Sequence, residues 1–247
     1  MLREVDVIAC EDTRRTRALL AHFDIHTPTV SYFEHNKLAR GPALIRQLRE
    51  GRRVALVTDA GTPGISDPGF LLVRDARAAG VTVVPVPGPS AVATALSVAG
   101  VPADRFVFDG FLPVKPGRRV NRLTALRDLE TTLVLYESPH RILATLEAIA
   151  AVFGEREIVV ARELTKQFEE FRRGTVASLA ESYGETAPRG EVVLVISGAA
   201  AAEPDESALR GRARALRAQG LSARDVARVL TEESHAPRNL AYRLAHE

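Results

Sequence analysis

The chain has 247 residues, 46% of them apolar, with 33 Lys or Arg against 31 Asp or Glu, a formal charge of +2 and a pI near 8.9. That supports one or two folded cores and excludes a disordered chain, and the mild charge does not by itself predict nucleic-acid binding. Cys10, the only cysteine, excludes an intrachain disulfide and a thiolate metal cluster; no leader pattern and no apolar run of roughly 18 residues is visible, so the expected location is the cytoplasm, with no membrane partner.

Val5 to Ala9 is predicted as the first strand. It runs into Glu11-Asp12-Thr13-Arg14-Arg15-Thr16-Arg17, where Arg14, Arg15 and Arg17 can meet phosphates. The same stretch also reads as a solvated helix start capped by Asp12 or Thr13. Arginine far outnumbers lysine (Lys37, Lys115 and Lys166 only), which suits phosphate recognition, although a GC-rich genome produces the same bias. Thr29 to Phe33 is a weaker strand, Lys37 to Glu50 a helix stopped by Gly51, and Val54 to Thr58 a buried parallel strand. Phe70 to Ala79 is helical, Val81 to Val86 a further strand, and Ser90 to Ala99 a helix. This alternation predicts an open, mostly parallel α/β sheet.

Arg105 to Gly117, with its phenylalanines and prolines, reads as a strand or linker into a second unit. Next come a helix at Arg119–Leu129, a strand at Thr132–Tyr136, a helix at Arg141–Phe153 and a strand at Glu157–Glu163. A polar stretch through Arg172 and Gly174 precedes a helix at Val176–Tyr183, and the strand Glu191–Ser197 closes the unit. Ala199 to Asp205 is a small-residue linker. The tail reads as three helices: Glu206–Gln219, one opened by Ser222 with Asp225 placed for a capping box, and one started by Pro237. A helix-turn-helix and a plain three-helix module fit it equally. The expected domains are therefore 1–110, 111–198 and 199–247.

The strongest local signal is Asp59-Ala60-Gly61-Thr62-Pro63-Gly64-Ile65-Ser66-Asp67-Pro68-Gly69, between a buried strand and a helix. Ligands of open α/β sheets bind outside the carboxyl ends of the strands. Glycine there lets a ligand approach the backbone and proline stiffens the loop, whereas an ordinary tight connection needs neither in such number. The spacing matches neither a G-x-G-x-x-G dinucleotide loop nor a Walker loop. Pro85 to Ala91 occupies a second strand-to-helix junction; Ser90 there reads as a helix cap, since its frame is not that of a G-x-S-x-G nucleophile. Tyr136-Glu137-Ser138-Pro139-His140-Arg141 and Arg162-Glu163-Leu164-Thr165-Lys166 repeat the placement of polar residues at a strand end, which argues for one shared cleft. His22 and His26 lack a third ligand nearby, so no metal site is expected.

Taken in order with Ala9-Cys10-Glu11-Asp12-Thr13-Arg14, Ser31-Tyr32-Phe33-Glu34-His35-Asn36 and Arg189-Gly190-Glu191, these segments resemble the bacterial ribosomal RNA small subunit methyltransferase I family of the tetrapyrrole (corrin/porphyrin) methylase superfamily, over nearly the whole chain. The resemblance implies two α/β domains with S-adenosylmethionine (SAM) in the cleft between them, a helical tail, a homodimer, and 2′-O-methylation of a cytidine ribose in 16S rRNA near the decoding centre. It implies cofactor contacts from Asp59, Gly61, Thr62, Pro63 and Ile65, from Ser90 and Ala91, and from Tyr136, Leu164 and Val192. The family pattern carries a further strand and a loop of the form T-P-I-G-N-L-G-D ahead of the segment matching Leu2-Arg3-Glu4-Val5. The expectation here is a sheet without that central strand and a cleft without that wall.

Methyl transfer needs alignment of the acceptor oxygen and a base for its proton. Lys166 with a lowered pKa, paired with Glu163, is the expected base, with Glu137 and His140 as alternatives. RNA is expected on Arg14, Arg15, Arg17, Arg118 and Arg119, with Arg122 and the tail's Arg224, Arg228 and Arg238 behind them, and the substrate is free 16S rRNA or the small ribosomal subunit. The rival readings are a precorrin-type small-molecule methyltransferase and a non-catalytic RNA-binding, ribosome-associated protein.

Overall fold

A computed structural model describes residues 1–184, 190–200, 205–234 and 236–247. They form two compact units, Met1–Ala199 and Ala200–Glu247. The expected linker falls largely on 201–204, and Arg189 of the Arg-Gly-Glu segment is likewise outside the described residues.

The first unit opens with a parallel sheet in the order β2 (Thr29–Ser31), β1 (Val7–Cys10), β3 (Val54–Val57). Successive side chains of β1 point to opposite faces. Val7 and Ala9 pack with Leu44 of α2 (Lys37–Arg49) and Leu72 of α3 (Phe70–Ala78), while Ile8 and Cys10 pack with Leu20 of α1 (Thr13–His22). Burial on both faces explains why β1 reads as a continuous apolar run. Asp12 is the cap of α1: its Oδ1 accepts from the Arg14 N–H at 2.8 Å.

Val81–Val86 is not a strand. Among the described residues the sheet ends at β3, and without a hydrogen-bonded neighbour this β-branched run forms no regular element, with Val83, Val84 and Val86 exposed.

The second sheet runs β4 (Phe106–Phe111), β5 (Thr132–Glu137), β8 (Val192–Ile196), β6 (Glu157–Arg162), β7 (Glu170–Thr175). Only β4 and β5 are parallel neighbours; the other three pairings are antiparallel, so the expectation of a mostly parallel sheet holds for the first sheet alone. The reason is insertion. Helix α6 (Ile142–Phe153) carries β5 over to β6 in the same direction, and β8 later fills the slot between them running the opposite way. The polar stretch around Arg172 is β7, an edge strand, which needs apolar residues on one face at most.

The sheet's two faces alternate along each strand. Leu133, Leu135, Ile158, Val160, Leu194 and Ile196 join α5 (Pro116–Leu126), α6 and α7 (Val176–Gly184) in the largest core. Val134, Val159, Ala161, Val193 and Val195 pack with Val92, Ala95, Leu96 and Ala99 of α4 (Ala91–Ala99), whose small residues allow close approach. The second layer thus takes in α4 and β4 and begins well before residue 111.

The unit Ala200–Glu247 holds α8 (Glu206–Ala218), α9 (Ala223–Ser234) and α10 (Arg238–His246) around one core that includes Leu209, Leu216, Val226, Leu230 and Leu244. Asp205 caps α8, and Ser222 Oγ accepts from the Asp225 N–H at 3.2 Å while its hydroxyl donates to Asp225 Oδ2. Pro237 stands at the N-cap of α10, one position earlier than expected. Among the described residues no helix is long and apolar enough to cross a membrane.

Candidate active site

Five chain segments, four of them at strand ends, line a cavity of about 360 Å³, within the range of small-molecule sites. It is lined by Ala60, Gly61, Thr62, Ile65, Ser66 and Asp67 after β3, by Ser90 and Ala91 at the start of α4, by Phe111, by Tyr136 to Pro139 after β5, and by Glu191 to Val193 entering β8. Of the residues expected to hold a cofactor, Gly61, Thr62, Ile65, Ser90, Ala91, Tyr136 and Val192 line it. Asp59, Pro63 and Leu164 do not: the Asp59 carboxylate turns to the Asp12 N–H (3.3 Å) and Arg15 (3.5 Å), and Leu164 packs into the core under α4.

The first loop is shaped by backbone geometry. Gly61 and Gly64 have φ of +69° and +84°, a region that favours glycine. A Cβ on Gly69 would lie 2.9 Å from the Gly64 nitrogen, so the loop closes on itself only with glycine there. Ser66 (φ 58°) adopts the left-handed conformation without being glycine, as do Glu163 (52°) and Thr165 (64°); such residues concentrate where a structure holds a functional loop in place. Thr62 Oγ1 donates to the Pro89 carbonyl at 3.1 Å, tying this loop to the next. There the Ser90 Oγ accepts from the Ala93 N–H at 3.4 Å. The hydroxyl is committed as a helix cap.

The opposite wall is aromatic. Tyr136 meets Phe108 and Phe111 edge to face, with centroids 4.8 and 5.6 Å apart, a geometry that aromatic quadrupoles favour. Burial pushes the Tyr136 hydroxyl above its ordinary pKa. Below it, Glu137 has a fully buried side chain. Its Oε1 accepts from the Ser138 N–H (2.7 Å) and lies 3.2 Å from Arg141 Nε; its Oε2 accepts from Thr145 Oγ1 (2.6 Å). Arg141 also donates to the Leu112 carbonyl at 2.6 Å, so one charged network fastens the ends of β4 and β5. Glu137 thus anchors this network.

Lys166 and Glu163 are paired, but not as a general base requires. Lys166 Nζ lies 3.0 Å from both Glu163 Oε1 and Glu191 Oε2, and these carboxylates raise its pKa rather than lower it. A lysine takes up a proton only when neutral, and this one is held charged. Glu163 works as a clamp: its Oε1 also accepts from the Glu191 N–H at 3.0 Å, and Lys166 depresses its pKa. Gly190 stands beneath it with φ of +87°, a conformation that favours glycine, and a Cβ there would displace the Glu163 carboxylate. Neither Lys166 nor Glu163 lines the cavity.

Asp67, which the sequence did not single out, does line it. Its pKa is raised to about 6, first by burial and then by Glu11, Glu191 and Asp59.

The expected RNA contacts separate into classes. Arg14 grips its own helix cap, Asp12, at 2.7 and 3.1 Å, and this hydrogen-bonded partner holds the Asp12 carboxyl down at about 2. Arg15 faces Asp59, and Arg17 donates to Thr29 Oγ1 at 3.1 Å. Arg118 is exposed, and Arg122 is bound to Asp109. Arg119 does not belong to an RNA surface: it is 6% exposed and donates to the carbonyls of Pro113 and Val114.

Residues 1–180 match the model of the Tetrapyrrole (Corrin/Porphyrin) Methylases. Solved structures with this architecture include cobalt precorrin-4 methyltransferase (TM-score 0.58, 19% identity, 79% of this chain and 85% of that one) and diphthine synthase (0.59, 15%, 79% and 81%). Among curated proteins, the chain is 46% identical over 250 residues to the ribosomal RNA small subunit methyltransferase I of Synechocystis sp., covering 100% of this chain and 90% of that protein. It is 44% identical to the protein of the same name from Escherichia coli O157:H7, covering 100% and 87%. The chain therefore belongs to the ribosomal RNA small subunit methyltransferase I family, within the tetrapyrrole methylases.

Proposed function

We propose that the protein transfers a methyl group from SAM to the ribose 2′-hydroxyl of a cytidine in 16S rRNA near the decoding centre, acting on free rRNA or the small subunit as a cytoplasmic homodimer. The observation that carries this reading is the convergence of five chain segments, four of them at strand ends, on one cavity, supported by the name that the relatives share.

The cavity suits SAM chemically. Phe111, Tyr136 and Val193 offer an apolar surface for a purine ring, Ser66 offers a hydroxyl group, and Asp67 and Glu191 place carboxylates where a cationic ligand is favoured. When bound, SAM supplies an electrophilic methyl group on a positively charged sulfur. The chain's own contribution is orientation: the Gly61–Gly69 turn, the Thr62–Pro89 tie and the Glu137 network fix the walls, and correct placement of reacting groups accounts for much of such catalysis. Arg14, Arg15, Arg17 and Arg118 remain the RNA-facing candidates. We place the domain division between the two sheets of the first unit, with the helical unit as a third part.

The test is to incubate the protein with SAM and either 16S rRNA or small subunits, digest the RNA with nuclease, and map the product by mass spectrometry. One ribose-methylated cytidine is expected. Methylation on a base, or of a tetrapyrrole offered instead of RNA, overturns the reading.

A further inference from the structure

Asp67 is a part-buried carboxylate in the cavity wall for which the fold supplies no hydrogen bond or ion pair among the described residues. Its neighbours are better provided. Asp59 has Arg15 and the Asp12 N–H, and Glu191 has Lys166. Lys166 is in turn shared with Glu163. Glu11 from the end of β1, Asp59 from the end of β3 and Glu191 from the start of β8 all act on Asp67 with the same sign, and the Tyr136 hydroxyl is the other titratable group coupled to it. Space for a ligand is open beside it: the one atom within 4 Å of a Cβ built on Gly61 is Asp67 Oδ2, at 4.0 Å.

We propose that Asp67 makes the cavity select its occupant by charge: it releases a proton when the cationic sulfonium cofactor enters, and it gives the neutral thioether left after methyl transfer no such attraction. The proposal rests on the SAM reading of this cavity. The exchange balances simply: the Asp67 carboxylic acid becomes a carboxylate, and its proton passes to bulk water. An empty-cavity pKa of about 6 makes the exchange visible near neutrality. A nearby positive charge favours the ionised form and lowers that pKa, so affinity for the cation rises as pH climbs through it. The ammonium of the methionine part is common to cofactor and product, so it cannot by itself produce a difference between them.

The test is calorimetric titration of SAM and of S-adenosylhomocysteine into the wild type, Asp67→Asn and Asp67→Glu, at pH 5, 6 and 7, in two buffers of different ionisation enthalpy. For the wild type, SAM affinity is expected to rise about tenfold from pH 5 to pH 7, with roughly half a proton released per SAM at pH 6. S-adenosylhomocysteine affinity stays flat. Asp67→Asn, its fold verified by thermal unfolding, binds SAM without the pH dependence, and Asp67→Glu retains it. Equal proton release with both ligands, or full linkage in Asp67→Asn, overturns the proposal alone. Failure of both ligands to bind the wild type overturns the SAM reading and the proposal together.

Discussion

Thr145 contains no reactive group that the chemistry needs, yet its hydroxyl completes the buried Glu137 network. Replacing it with valine leaves a buried carboxylate oxygen without its donor, a loss of about 1–3 kcal/mol in stability, measurable by denaturant unfolding. Asp67 has the opposite character, since its ionised form is disfavoured in the folded state. An acid whose folded pKa is raised binds more protons folded than unfolded, so stability falls as pH rises from the ordinary value of 3.8 to about 6 and is level above that. Asp67→Asn removes this penalty: thermal scans are expected to show a higher melting temperature than wild type at pH 8 and no gain at pH 4. The sequence displayed the Asp59–Gly69 loop clearly, because glycine and proline in that number have few other uses. It did not rank Asp67 above Asp59. The two acids stand in the same loop, and only folding shows that one acquires an arginine and a backbone N–H while the other faces the cavity.

Elements were legible where local chemistry decides them. The apolar runs of β1, β3 and β5 and the capped helices α1, α4 and α9 follow from periodicity and caps. The failures have a common cause, in that strand pairing is a long-range property. Val81–Val86 has strand composition and no neighbour, whereas Glu170–Thr175 has loop composition and gains β6 as a partner. Likewise, nothing local says that β8 will insert between β5 and β6. The Ser90 cap gives a test at this scale. Ser90→Ala is expected to cost about 1 kcal/mol of stability through loss of the N-cap and to leave methyl transfer measurable, whereas abolition of turnover in a stable, SAM-binding variant contradicts the capping assignment.

For the whole molecule, family membership follows from agreement of many short segments in order, while the RNA-facing surface was only partly readable. Counting arginines cannot distinguish Arg119, buried against backbone carbonyls, from Arg118, which is exposed. Arg118→Glu is therefore expected to weaken rRNA binding more than Arg119→Lys and to reduce the salt-dependence slope by about 1, with SAM affinity unchanged in calorimetry. The central claim is that the cavity bounded by Gly61, Ala91, Tyr136 and Val192 holds the methyl donor. Its most direct test is titration of SAM into the wild type and into Ala91→Phe, which fills the cavity from the start of α4. Saturable one-to-one binding by the wild type, lost in a folded Ala91→Phe, is the predicted result; equal SAM affinity in the two proteins contradicts the account.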